Sequence, residues 1–138
     1  MASLLYNSAL NDQARGLIDF DTDSFKMLLV TSAYVVNKDT HTKRSDVTSE
    51  VTGTGYTAGG AATACTVALN TATDQLTLTF AQTSWPASTI TARAGVIYKA
   101  RGGAATADEL IGYADFGADV SSTAGTFTVN SGTFTLQN

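Results

Sequence analysis

Ser88-Thr-Ile-Thr-Ala-Arg-Ala-Gly-Val-Ile-Tyr-Lys99 and Leu110-Ile-Gly-Tyr-Ala-Asp-Phe-Gly117 are two runs rich in β-branched and aromatic residues. The residues between them, 100–109, carry Gly102-Gly103 and read as a loop. Neither run contains a proline or more than two charges, so both suit the interior of a sheet. The pair decides the fold class: a β scaffold, with the rest of the chain arranged around it.

The pattern continues on both sides. Cys65, Val67 and Leu69 alternate with small or polar residues, as do Leu76, Leu78 and Phe80, and residues 70–74 separate them. This spacing predicts a hairpin. Trp85-Pro86 then punctuates the chain, and Phe127 with Val129 and Phe134 with Leu136 supply two more alternating segments around Asn130-Ser-Gly132. Residues 25–31 are almost continuously apolar and predict a central strand. Residues 17–20 read as a short strand that turns at Asp21-Thr-Asp23. At the N-terminus, Ser3 is placed to cap a helix over 4–15, with Leu4, Leu5, Ala9 and Leu10 as its apolar face and Gly16 at its end. About eight short strands, one helix and no βαβ alternation predict an all-β, antiparallel two-sheet sandwich, jelly-roll-like, with a short N-terminal helix. Residues 1–16 are expected as an N-terminal arm and 17–138 as a single β-sandwich domain.

Composition supports one domain. The chain has 138 residues, enough for a real core without staples. Charged residues make up 14%, well below the roughly 25% of ordinary soluble domains, yet hydrophobicity is too high for disorder. Net charge is −4, and of the eight basic residues only Lys43-Arg44 are adjacent. Nucleic-acid binding wants a basic stripe that displaces counterions, so no direct nucleic-acid partner is expected. No run of 18 apolar residues marks a membrane helix and the N-terminus lacks the features of a secretion signal, so synthesis in the cytoplasm without membrane contact is expected. The single cysteine excludes an intrachain disulfide and a four-cysteine zinc site. Sharing parity with Val67 and Leu69, Cys65 is expected to point into the core.

Motifs that could carry chemistry are thin. Asp19-x-Asp21-x-Asp23 begins like a calcium loop, but Ser24 replaces the turn glycine and Val30 the bidentate glutamate, so it reads as a carboxylate-rich turn. Gly53-Thr-Gly55-Tyr-Thr-Ala58 approximates a dinucleotide fingerprint without the strand before it or the helix after it. His41, the only histidine, sits in the irregular stretch 37–60 and reads as a solvated loop position. A loop of that length is usually functional or mobile. No Gly-x-Ser-x-Gly elbow is present, and Asp115 with Asp119 reads as loop solvation rather than a glycosidase pair. No catalytic, metal or cofactor site is expected. An interaction surface remains. Tyr6, Tyr34, Tyr56 and Trp85 lie in apparent turns, the long loop or the arm. With Leu4, Leu5 and His41 they are the candidate contact residues, since loop aromatics are frequent at interfaces.

The chain also resembles a family. Asp19-Phe-Asp-Thr-Asp-Ser-Phe-Lys-Met-Leu-Leu-Val30, Val51-Thr-Gly-Thr-Gly-Tyr-Thr-Ala-Gly-Gly60, Trp85-Pro-Ala-Ser-Thr-Ile-Thr-Ala-Arg-Ala-Gly-Val-Ile-Tyr-Lys99 and Tyr113-Ala-Asp-Phe-Gly117 are similar to small tailed-bacteriophage head proteins that cement or decorate the capsid. The resemblance spans about residues 5–134 and departs at Pro86, where the family favours a small or hydroxyl residue. It implies a jelly roll without catalytic residues. It also implies a virion structural protein on the outer surface of the capsid, with the major capsid protein as partner and a homo-oligomer, a dimer, as its form. A tail- or fibre-associated receptor- or glycan-binding module is the alternative, and a small glycan hydrolase is a weaker third.

Overall fold

The computed structural model describes residues 2–137. Eight strands and one helix follow in the order β1 (Ala2–Leu5), α1 (Asn7–Ala14), β2 (Phe25–Val30), β3 (Ala61–Thr63), β4 (Cys65–Asn70), β5 (Gln75–Phe80), β6 (Thr83–Lys99), β7 (Leu110–Val129) and β8 (Gly132–Gln137), with a 3-10 turn at Arg44–Asp46. They form a five-stranded sheet, β1-β7-β6-β2-β3, and a three-stranded sheet, β4-β5-β8. Every strand pairing is antiparallel. The architecture is the expected all-β sandwich with one short helix.

The opening pair of runs is the spine of the larger sheet. Each is longer than its pattern suggests: β6 begins at Thr83 and β7 runs on to Val129. Pro86 sits inside β6, where the register shifts between Trp85 and Ser88. A bulge frees a proline from the ladder donor it lacks. β7 carries four residues, 116–119, between partners that flank the single Arg93 on β6.

The large sheet is covered on both faces. Met27, Leu29, Ile97 and Ile111 face the small sheet, where Leu78, Phe80 and Phe134 meet them. Leu28, Val30, Val96, Tyr98 and Leu110 face the other way, into a second core closed by Tyr6, Tyr34, Val36 and Val47. Strands buried on both sides need apolar residues at successive positions, which accounts for the unbroken Met27-Leu-Leu-Val30. Gly112 is small because Phe134 lies on it: a Cβ there would run into the ring.

Several local expectations are corrected. Leu4 and Leu5 lie in β1, paired with Tyr113 and Gly112, and the helix starts only at Asn7, with Tyr6 rather than Ser3 at its N-cap. Edge pairing satisfies these backbone groups and packs Leu5 on the inter-sheet core and Leu4 on the second one, which a marginal short helix cannot match. The arm 1–16 is therefore joined to the sandwich 17–138 by a strand of the large sheet. Residues 17–20 form no strand; the Asp19 amide donates to the Asp23 carboxylate (2.7 Å) and the Asp21 amide to Asp19 (3.0 Å), so the segment turns. Cys65 does pack on the inter-sheet core, as expected, but is only half-buried, because β4 is an edge strand whose far end leaves Leu69 70% exposed. Burial and the Asp21 charge push the Cys65 thiol up to about 11.

Candidate interaction surface

The seven candidate contact residues resolve into three groups. Leu4 and Leu5 lie in β1 as described. Tyr6, Tyr34 and His41 form a chain: the Tyr6 and Tyr34 hydroxyls are 2.9 Å apart, and Tyr34 Oη is 2.8 Å from His41 Nδ1. Tyr56 and Trp85 pack with ring centroids 6.0 Å apart. Tyr6, Tyr34 and Trp85 are buried. Their expected place outside the core is corrected, and their rings offer no area to a partner in this conformation. The reason is the second core: the aromatics that look unpatterned in loops are the lid over the outer face of the large sheet. Trp85 instead faces the inter-sheet core from within β6, against Phe127. His41 is half-buried rather than solvated.

The stretch 37–60 is tied down along its length. Thr42 O accepts from the Leu110 amide at 3.1 Å, and bridges join Lys43 to Glu109, Glu50 to Val30 and Thr54 to Thr89. Tyr56 Oη donates to Glu50 (2.7 Å) while accepting from the Leu29 amide (3.0 Å), and Tyr98 Oη donates to Gly59 O (2.5 Å). The fingerprint-like Gly53 and Gly55 hold positive φ and lie so close to the backbone of residues 87–89 that a Cβ at either would collide with it. Those glycines serve a strand contact rather than a phosphate.

A charged seam closes the hairpin end of β6 and β7. Asp108 and Glu109 are each only 2% exposed. Buried carboxylates are costly unless paired, and both are. Asp108 accepts from Arg44 Nε (2.8 Å) and the Arg101 amide (2.9 Å); Glu109 takes the Arg101 fork at 2.6–3.0 Å, with Lys43 at 3.5 Å. Burial drives the Glu109 carboxyl upward, but the Arg101 hydrogen bonds and nearby Lys43 outweigh it, and the group sits below the usual glutamate range. The Arg44 guanidinium stacks 5.0 Å above the Tyr98 ring. Lys99 pairs with Asp23 at 2.8 Å, so the acidic turn is spent on a salt bridge. Asp115 is engaged by Arg93 (2.9 Å) and the Gly117 amide (2.8 Å), which lower it. Among the described residues no group of His, Cys, Asp and Glu has the arrangement of a metal site, and no helix is long and apolar enough to cross a membrane.

The opposite end of β6 and β7 has a different chemistry, which the motif search missed. Asp74 is the sole charged residue in 51–92, and 120–138 contain none. Hydroxyls replace charges: Thr91 Oγ1 meets Ser121 Oγ at 2.7 Å and Ser84 Oγ meets Thr128 Oγ1 at 3.4 Å across the ribbon. A shallow groove beside them is lined by Thr31, Thr52, Thr89, Thr91, Ser121 and Thr123, with Glu50 at one side. Under the ribbon, fully buried Ser88 Oγ lies 2.9 Å from Trp85 O, 2.8 Å from Ser122 Oγ and 3.1 Å from Gly125 O, pinning the paired bulges. The density of Ser and Thr in 83–91 and 121–128, combined with the missing charges, was the available signal. The small sheet continues the same character, for β4, β5 and β8 hold no charged residue. No family model, curated protein or solved structure matches the chain.

Proposed function

We propose that this protein is a virion structural protein. It binds the outer surface of a bacteriophage capsid after synthesis in the host cytoplasm and cements neighbouring major capsid subunits. One observation carries the reading beside the family resemblance. Half the molecule is a β ribbon and sheet, nearly free of charge and covered in short hydroxyls, while the two most buried carboxylates, Asp108 and Glu109, are ion-paired at the other end. Such a face can be buried against protein with little cost of stripping hydration from ions. A protein that binds the assembled shell and not its dissociated subunits stabilises it by mass action. Contacts to two subunits, or from a dimer of this chain, raise the effective concentration at each. Each specific contact should bury on the order of 1,000 Å² or more.

Labelling and imaging the protein on purified particles tests this. Hundreds of copies on the head, and earlier rupture on heating when it is depleted, are expected. A few copies at the tail would overturn the cementing role in favour of the receptor- or glycan-binding module.

A further inference from the structure

The Tyr6–Tyr34–His41 chain joins two parts of the molecule that nothing in the proposed function links. Tyr6 is the junction of β1 and α1, and Tyr34 and His41 belong to the segment that covers the outer face of the large sheet. Beside the chain, the Asn7 amide donates to Lys38 O (3.0 Å) and Asn7 Nδ2 to Asp39 Oδ1 (2.6 Å), completing one contact between the arm and the covering segment.

Counting hydrogens shows what the chain requires. Three heteroatoms in a row make two links. With neutral His41 and its proton on Nε2, two hydroxyl hydrogens serve those two links: Tyr6 donates to Tyr34, and Tyr34 donates to Nδ1. Protonated His41 adds a third hydrogen, on Nδ1, and the two links cannot use it. One hydroxyl hydrogen is then left without an acceptor in a place where Tyr6 is fully buried and Tyr34 nearly so. An unmatched buried donor is expensive.

We infer that this chain is an acid-sensitive latch: it holds the N-terminal arm on the covering segment while His41 is neutral and loosens it when His41 is protonated. The surrounding charges do not reverse the sign. The charged groups nearest His41 are Asp46, on the 3-10 turn, and Asp39 and Lys38 within its own loop. Asp39 is exposed and screened; Asp46 is half-buried, and its carboxylate is held by the Thr42 and Lys43 amides at 2.8 and 3.0 Å rather than by either tyrosine hydroxyl. Tyr113 of β7 faces Tyr34 with ring centroids 6.0 Å apart and adds no charge at these pH values. The latch does not depend on what the sandwich binds.

Nitrogen NMR of His41 in the intact protein reads the first claim. The Nε2–H tautomer is expected at neutral pH, and an Nδ1–H tautomer would overturn the proposal. Amide hydrogen exchange, corrected for intrinsic pH dependence, reads the second. Acidification through the His41 titration should cut protection of residues 6–14 by roughly tenfold or more, the scale of one unmatched buried group, and leave the centre of β6 unchanged. His41→Gln, whose amide oxygen can accept from Tyr34, should keep protection high at both pH values. Tyr34→Phe should make it low at both. A pH step of wild-type size in either variant would refute the latch.

Discussion

At the hairpin end of β6 and β7, Asp108 and Glu109 are buried and satisfied by Arg44, Arg101 and Lys43. At the far end, Ser88 is buried and satisfied by two carbonyls and a second serine. Both arrangements pin irregular backbone on the same two strands. The first does it with ions, which are strong in place but severely punishing when one partner is removed. The second does it with neutral groups, whose net worth and whose cost of loss are both smaller. A protein that must lay one end against another surface gains by keeping its ions at the other. The geometry divides that way.

Substitutions can break this contrast. Trp85→Ala, which removes the largest ring from the core beneath the hydroxyl ribbon, should cost about 3–5 kcal/mol in denaturant unfolding; a loss under 1 kcal/mol would mean the ribbon is not supported by that core. Arg101→Ala strands the buried Glu109 with only Lys43 and should destabilise the fold near neutral pH, by less than Trp85→Ala does because the guanidinium is itself partly exposed. Its pH dependence sharpens the point. The folded-state Glu109 and Asp115 carboxyls are depressed. Their stabilisation is therefore present above the unfolded carboxylate range, about pH 4, and is lost as pH falls through the depressed folded values. Wild type should lose stability on acidification, and Arg101→Ala should lose less; parallel acid slopes for the two would show that the seam does not titrate as described. Ser88→Ala should cost about 1–2 kcal/mol, with no acid component. Smallest of all, Thr91→Ala with Ser121→Ala, both exposed, should change stability by no more than about 0.5 kcal/mol. If the ribbon is the docking face, the same pair weakens binding to particles, and that binding varies little with salt. Strong salt dependence would move the contact to the charged seam.

The sandwich was legible because its spine obeys simple periodicity. β2, the β4–β5 hairpin and the cores of β6 and β7 stand where alternation or an apolar run places them. What pattern could not reach was the second core. Its lid consists of Tyr6, Tyr34, Val36 and Val47, side chains from an edge strand's end and an irregular segment with no period to read. Without that lid in view, Leu4 and Leu5 look like a helix face and the tyrosines look like free contact residues. The glycines at 53 and 55 misled for a related reason: a close approach between backbones distant in sequence leaves the same mark as a phosphate loop. The hydroxyl ribbon was visible in composition, but only as an absence of charge, and absences take shape only when strands align them.

The surplus of three residues on β7, four opposite the single Arg93, has a practical consequence. There the strand already leaves its ladder, Gly117 takes φ 84°, and residues 117–119 are exposed. Extra chain added between Gly117 and Ala118 would extend a detour that exists rather than create one, and loop closure grows only slowly more costly with length. This shoulder is where the scaffold can carry a grafted peptide or fluorophore as passenger, with neither sheet asked to change register.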